Sequence, residues 1–158
     1  MGKTELDAVL AASPGRRMIG VGSLGGLGAI MLYMALALAP GLGWQAFQVG
    51  LGGVALWCAQ RMWRATAERL ELSAEGLRSS DGRILAPMDD IVAVDRGVFA
   101  FKPSNGFMIT LRHKGPFVWE PGLWWRIGRK VGVGGVTPGT PAKYMAELIQ
   151  ERIAARGS

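Results

Sequence analysis

Residues 18 to 60 contain no Lys, Arg, Asp, Glu or His. An uncharged run of that length restricts a chain more than any other feature it can carry. A helix that crosses a bilayer takes about 20 apolar residues, so the run has room for two spans and a tight turn. The first span is expected over residues 18 to 39 and the second over residues 44 to 60. Between them Pro40-Gly41-Leu42-Gly43 breaks the helix. Both spans are read as helices, because each must satisfy its own backbone hydrogen bonds in lipid.

Charges at the ends orient the pair. Arg16 and Arg17 precede the first span, Arg61, Arg64 and Arg69 follow the second, and the connecting turn carries no charge. The basic excess puts both termini in the cytoplasm, with residues 1 to 17 as a cytoplasmic N-terminal segment. Trp44 at one end and Trp57 and Trp63 toward the other suit interfacial anchors. Small residues let helix backbones approach closely. Ala46 and Gly50 are expected to pack the two helices together. Gly22 and Gly26 either do the same or meet a second copy or a partner in the membrane. Arg16-Arg17 before an apolar run, with Ala37-Leu38-Ala39, also has the form of a twin-arginine signal. The long apolar run, Pro40 after the notional cut and the second arginine-flanked segment favour retention of the segment.

From Arg61 onward the pattern changes to short alternating strands separated by turn residues. Strands are expected at Arg69–Leu72, Leu77–Ser79, Arg83–Leu85, Ile91–Val94, Val98–Lys102, Phe107–Arg112 and Phe117–Trp119. Asp81-Gly82 and Asn105-Gly106 mark hairpin turns, Lys114-Gly115 a further turn, and Asp89-Asp90 a turn before Ile91. Phe107, Ile109 and Leu111 share one face. Thr140 and Pro141 open a C-terminal helix over Ala142–Ala155, with a helical stripe through Tyr144, Met145, Leu148, Ile149, Arg152 and Ile153.

The stretch LELSAEGLRSSDGRILAPMDDIVAVDRG, then FMITL, then a terminal amphipathic helix, resembles the bacterial PH-like domains that follow a transmembrane hairpin. Ala74-Glu75-Gly76-Leu77 stands at the family's EGL-type turn and Asp89-Asp90-Ile91 at its acidic pair. Pro87-Met88 stands where the family often has Trp. The resemblance covers about residues 60 to 155. It implies a bacterial inner-membrane protein with an α+β domain over residues 61 to 158. The resemblance further implies that this domain is a small antiparallel seven-strand half-barrel closed by the last helix, with a non-catalytic role.

The chemistry-bearing residues are sparse. Net charge is +6, with one cysteine, Cys58, and one histidine, His113. An internal disulfide is impossible, and one Cys with one His cannot supply a usual four-ligand zinc site. Cys58 lies in the second span, where a thiolate is costly. Asp95-Arg96 reads as a local ion pair. Val131-Gly132-Val133-Gly134-Gly135 contains a fragment of a dinucleotide fingerprint, but position 137 is Thr and no βαβ unit surrounds it. No cofactor, metal, nucleic acid or small-molecule substrate is expected.

The segment from Gly115 to Gly135 holds Trp119, Trp124 and Trp125 among Arg126, Arg129 and Lys130. Pro121 suits an early helical position, so residues 121 to 131 are expected to wind as a short helix. Leu123, Trp124, Ile127 and Val131 then face the core, and Trp125, Arg126, Arg129 and Lys130 face out. Trp119 ends a strand and could lie on either side. Three roles stay open for the outer face: a cation–π stack of Trp125 on Arg129, an anionic membrane surface, or a protein partner. The expected function is a non-catalytic inner-membrane protein whose domain binds a protein partner or lipid headgroup at the membrane surface. The alternative is a structural accessory or assembly subunit of a larger membrane complex.

Overall fold

The computed structural model describes residues 5–38, 41–97 and 104–157. Strand β1 (Ala8–Ala11) comes first, followed by helices α1 (Pro14–Ala37) and α2 (Leu42–Ala65). Strands β2 (Arg69–Ser73), β3 (Gly76–Ser79) and β4 (Ile84–Pro87) follow, then a 3-10 turn at Met88–Asp90. Strands β5 (Ile91–Asp95), β6 (Phe107–Glu120) and β7 (Trp124–Val133) and helix α3 (Gly139–Arg156) complete the chain. The described strands form two antiparallel sheets, in the orders β1-β2-β3-β4 and β5-β6-β7.

β1 was not expected: residues 1 to 17 read as a bare cytoplasmic segment. Ala8 pairs with Leu72 and Leu10 with Leu70, so the two helices are an insertion between adjacent strands of one sheet. The alternation of β1 is the visible signal, with Ala8 and Leu10 buried and Val9 exposed. Two small alanines in a four-residue strand make that signal too short to stand out by itself.

Both helices are longer than the expected spans, because helices continue until something stops them. α1 starts at Pro14, suited to the first turn, and α2 runs on through Arg61 and Arg64 to Ala65. Ala39 and Pro40 lie outside the described residues. Among those residues, only α1 is long and apolar enough by composition to cross a membrane, with a mean hydropathy of 1.8 over its best window. α2 is equally long but carries Gln45, Gln48 and Gln60.

The core of the β domain follows the expected alternation. Leu70, Leu72, Phe107, Ile109 and Leu111 are fully buried. α3 covers the sheets with Ala142, Met145, Ala146 and Ile149 inward, while Tyr144 is exposed. The helix begins two residues earlier than expected, with Pro138 rather than Thr140 at the cap. The strand expected at Val98–Lys102 lies outside the described residues. Arg96 reaches Glu147 of α3 at 3.3 Å, an ion pair across the fold that the Asp95-Arg96 neighbourhood did not suggest.

Two expectations fail in the segment from 107 to 133. Lys114-Gly115 does not separate two strands: β6 runs through it with a shifted register at Gly115, and Phe117–Trp119 belongs to the same strand. Residues 121 to 131 are not a helix. Glu120-Pro121-Gly122-Leu123 is a tight turn, with the Leu123 N–H donating to Glu120 O at 3.1 Å and Gly122 at φ +85°. Pro followed by a glycine at positive φ is the signature of a type II turn. Pro121 was therefore serving a hairpin, and the chain returns as β7 beside β6. Strand geometry keeps Trp124 and Val131 inside and leaves Ile127 57% exposed instead of in the core.

Candidate functional site

The helices meet the β domain at a collar of arginines and tryptophans. Arg17 Nη2 donates to Trp63 O at 2.8 Å, and its guanidinium lies 3.9 Å from the Trp63 ring centre. Arg61 donates to Trp119 O through Nε and Nη2 at 3.2 and 3.0 Å and stands 3.7 Å from the Glu120 carboxylate. Arg16 reaches Thr137 O at 3.3 Å, and the Ser13 N–H donates to Val136 O at 2.8 Å. The Trp57 and Trp119 rings lie 6.1 Å apart. Arginines that flank a span are expected to face water or headgroups. Here Arg16 and Arg61 bond the β domain to the helix ends and Arg17 joins α1 to α2, so the junction is a packed interface and not a free linker.

Beside this collar is a recess of about 250 Å³. Arg61, Arg64 and Arg83 contribute one sign of charge and Glu68, Asp81 and Glu120 the other, with Trp124 in its wall. Arg83 is held by Asp81 at 3.0 Å and Glu120 at 3.2 Å. Arg64 is exposed and enters no ion pair among the described residues. The recess is not visible in the sequence because its residues come from three separate stretches of chain.

The residues expected to form an outward basic face are dispersed. Arg126 donates to Leu85 O at 3.3 Å, Arg129 Nε to Leu111 O at 2.8 Å, and Lys130 Nζ to the Thr110 hydroxyl at 2.8 Å. Trp125 is half-buried and packs its indole on Gly132, where a Cβ would collide with the ring. The proposed stack on Arg129 is replaced by this contact. Trp119 is half-buried against Trp57, at the collar.

The small residues divide differently from expectation as well. Gly50 has open space where a Cβ would be, and Ala46 is exposed, so this pair does not join the helices. The close approach is at Gly28 and Gly52: a Cβ on Gly28 would meet Gly52 O at 2.9 Å, and one on Gly52 would meet Gly28 O at 3.0 Å. Gln48, Gly52, Ala55, Ala59 and Met62 carry the buried stripe of α2 at alternating spacings of three and four. Gly22 and Gly26 face open space.

His113 is paired, although a lone histidine at a strand end gave no sign of a partner. Its Nδ1 lies 2.5 Å from Asp90 Oδ1, and its backbone N–H donates to the same oxygen at 3.1 Å. Burial alone would raise the Asp90 pKa. The two His113 hydrogen bonds, with the charges of His113 and Arg126, outweigh it and hold the carboxyl below its ordinary 3.8. A depressed carboxylate contributes stability that is present above the unfolded pKa and is lost as pH falls through the folded one. Asp90→Asn is therefore expected to flatten the acid limb of a melting-temperature profile recorded downward from pH about 5. An acid limb of unchanged slope would show that the pair has no part in acid stability.

Among the described residues no three His, Cys, Asp or Glu side chains gather as a metal site. Cys58 is partly buried within α2. Comparison with protein-family models, curated proteins and solved structures finds no match.

Proposed function

We propose that this chain is a non-catalytic integral membrane protein of a bacterial inner membrane. In this reading α1 and α2 span the bilayer as a hairpin with both termini in the cytoplasm. The β domain, read as a PH-like half-barrel, binds a lipid headgroup or a protein partner at the membrane surface. The observation that carries the reading is the insertion of the hairpin between β1 and β2, with Arg16 and Arg61 tying its ends to the sheet side of the molecule. A domain joined to both helices and bonded to their ends is held against the bilayer, with the arginine-lined recess at headgroup level. Arg64, Arg61 and Arg83 there supply donors suited to a phosphate or carboxylate.

A second reading, an accessory subunit of a larger membrane complex, is favoured by the open space over Gly22 and Gly26 on the outer side of α1. Native mass of the full-length protein in mild detergent, with identification of co-purifying proteins, separates the two. A chain that runs alone or as a homodimer supports the self-contained module; a stoichiometric companion makes it a subunit. In that second case Gly26→Leu is expected to release the companion without loosening the hairpin, since its Cβ meets nothing among the described residues. Retention of the companion at full stoichiometry would remove Gly26 from the contact.

A further inference from the structure

The β6–β7 ribbon doubles back on itself. Phe107 pairs with Val133 at one end and Glu120 with Trp124 at the other. Extended, the ten residues of β7 would cover about 33 Å, yet the Gly134 N–H donates to Leu123 O at 2.9 Å. The two ends meet only if the ribbon folds in its middle. There Gly115 pairs with Gly128, the register shifts on both sides of that pair, and Gly128 takes φ +58°. Contact of Trp125 with Gly132 across the fold agrees with this. The middle of the ribbon is thus an elbow, and its surface residues are Lys114, Pro116, Phe117 and Ile127. Phe117 is 70% exposed and Ile127 57%.

Two contacts say which way the elbow points. Gly122, at the turn, lies against Met62 and Thr66 near the end of α2. Three residues back along β6, Trp119 lies against Trp57, about one and a half helical turns beyond Met62 toward the centre of the hairpin. The arm therefore climbs α2 from its domain end toward the hairpin. Two more strand residues, about 6–7 Å, lead to Phe117 and the elbow. We infer that the elbow enters the bilayer interface beside α2: Pro116, Phe117 and Ile127 sit among the upper acyl chains, and Lys114 meets lipid phosphates. The inference rests on the reading of α1 and α2 as a membrane hairpin. Continuity supplies its occupant, since the elbow's apolar surface extends through Trp119 to Trp57, itself 53% exposed on α2. Basic and apolar residues side by side are what an anionic interface attracts.

The test uses the full chain with Cys58→Ala, reconstituted in vesicles of mixed zwitterionic and anionic phospholipid. Phe117→Cys and Ile127→Cys carry an environment-sensitive fluorophore. Val54→Cys on the outside of α2 serves as the bilayer reference and Glu151→Cys on α3 as the aqueous one. All four positions are exposed, so each variant keeps its core. The expected result is strong quenching of labels 117 and 127 by a spin label near the lipid headgroup and weak quenching by aqueous iodide, with label 54 quenched by deeper spin labels. Strong iodide quenching at 117 and 127 with label 54 still in lipid overturns the elbow while the hairpin reading stands. Iodide quenching at all three positions overturns both. Labels 117 and 127 shielded from lipid and from iodide alike would mean a protein covers the elbow, which also overturns the inference.

Discussion

Gly28→Leu or Gly52→Leu is expected to force the two helices apart. At each position the nearest obstacle includes the backbone carbonyl of the other, 2.9–3.0 Å from where a Cβ would sit. Leu56 also stands 2.7 Å from a Gly28 Cβ, and Leu32 3.1 Å from one on Gly52. A backbone cannot rotate away as a side chain can, so the whole helix has to move. Overpacking of this kind costs about 1–3 kcal/mol and occasionally more, and the upper end applies where four added carbons meet main chain. Separation would also stretch the tie at the far end, where Gln45 Nε2 donates to Ala35 O at 2.8 Å. The measurement is unfolding of the purified protein in detergent, with Gly22→Leu and Gly50→Leu as controls. Those two have open space at the Cβ and are expected to change stability by less than about 0.5 kcal/mol. Equal losses at all four sites would mean that the Gly28–Gly52 contact is not what holds the hairpin.

Phe107→Ala is expected to do comparable or greater damage to the β domain. The ring is fully buried in a cluster with Leu70, Leu72, Ile109, Leu123 and Met145, drawn from both sheets and from α3. Phe→Ala changes in packed cores cost about 3–5 kcal/mol, against a total stability of about 5–15 kcal/mol for a typical domain. The expected result is loss of a cooperative transition for the β domain in near-ultraviolet circular dichroism, or a much lower midpoint. Phe117→Ala, on the exposed elbow, should leave the midpoint almost unchanged. If both substitutions cost the same, the ring of Phe107 is not in a tight core.

The alternation in Arg69–Leu72 and Phe107–Leu111 was legible because strand periodicity is a local property: every second residue faces one way whatever the partner. All five apolar residues it pointed inward are buried. The uncharged run likewise announced two helices. Its failures were at the ends, where helix length depends on what receives the last turn. For α2 that is the β6–β7 turn, with Gly122 against Met62 and Thr66.

The candidate site was less legible. Trp125, Arg126, Arg129 and Lys130 were grouped on one face because residues 121 to 131 were wound as a helix. The Pro121-Gly122 dipeptide reads equally as a type II turn, and only the pairing of β7 with β6 decides between the two. Once the segment is a strand, the cations part. Arg126 bonds to Leu85 on β4, while Arg129 and Lys130 bond to Leu111 and Thr110 on β6. Trp119 was left open and is drawn to Trp57, a residue 62 positions away in sequence.

The amino-acid sequence alone determined the kinds of element this chain makes, because charge, apolar period and turn chemistry act over a few residues. Two helices without a charge between Arg17 and Arg61, antiparallel strands around leucine and phenylalanine alternation, and a closing helix all follow from it. Only the tertiary structure decided that Ala8–Ala11 completes the sheet across the inserted hairpin, that Gly28 and Gly52 rather than Ala46 and Gly50 join the helices, and that the β6–β7 ribbon folds at Gly115 and Gly128. Each of these depends on which surface a residue meets, and that is set by contacts between segments far apart in the chain.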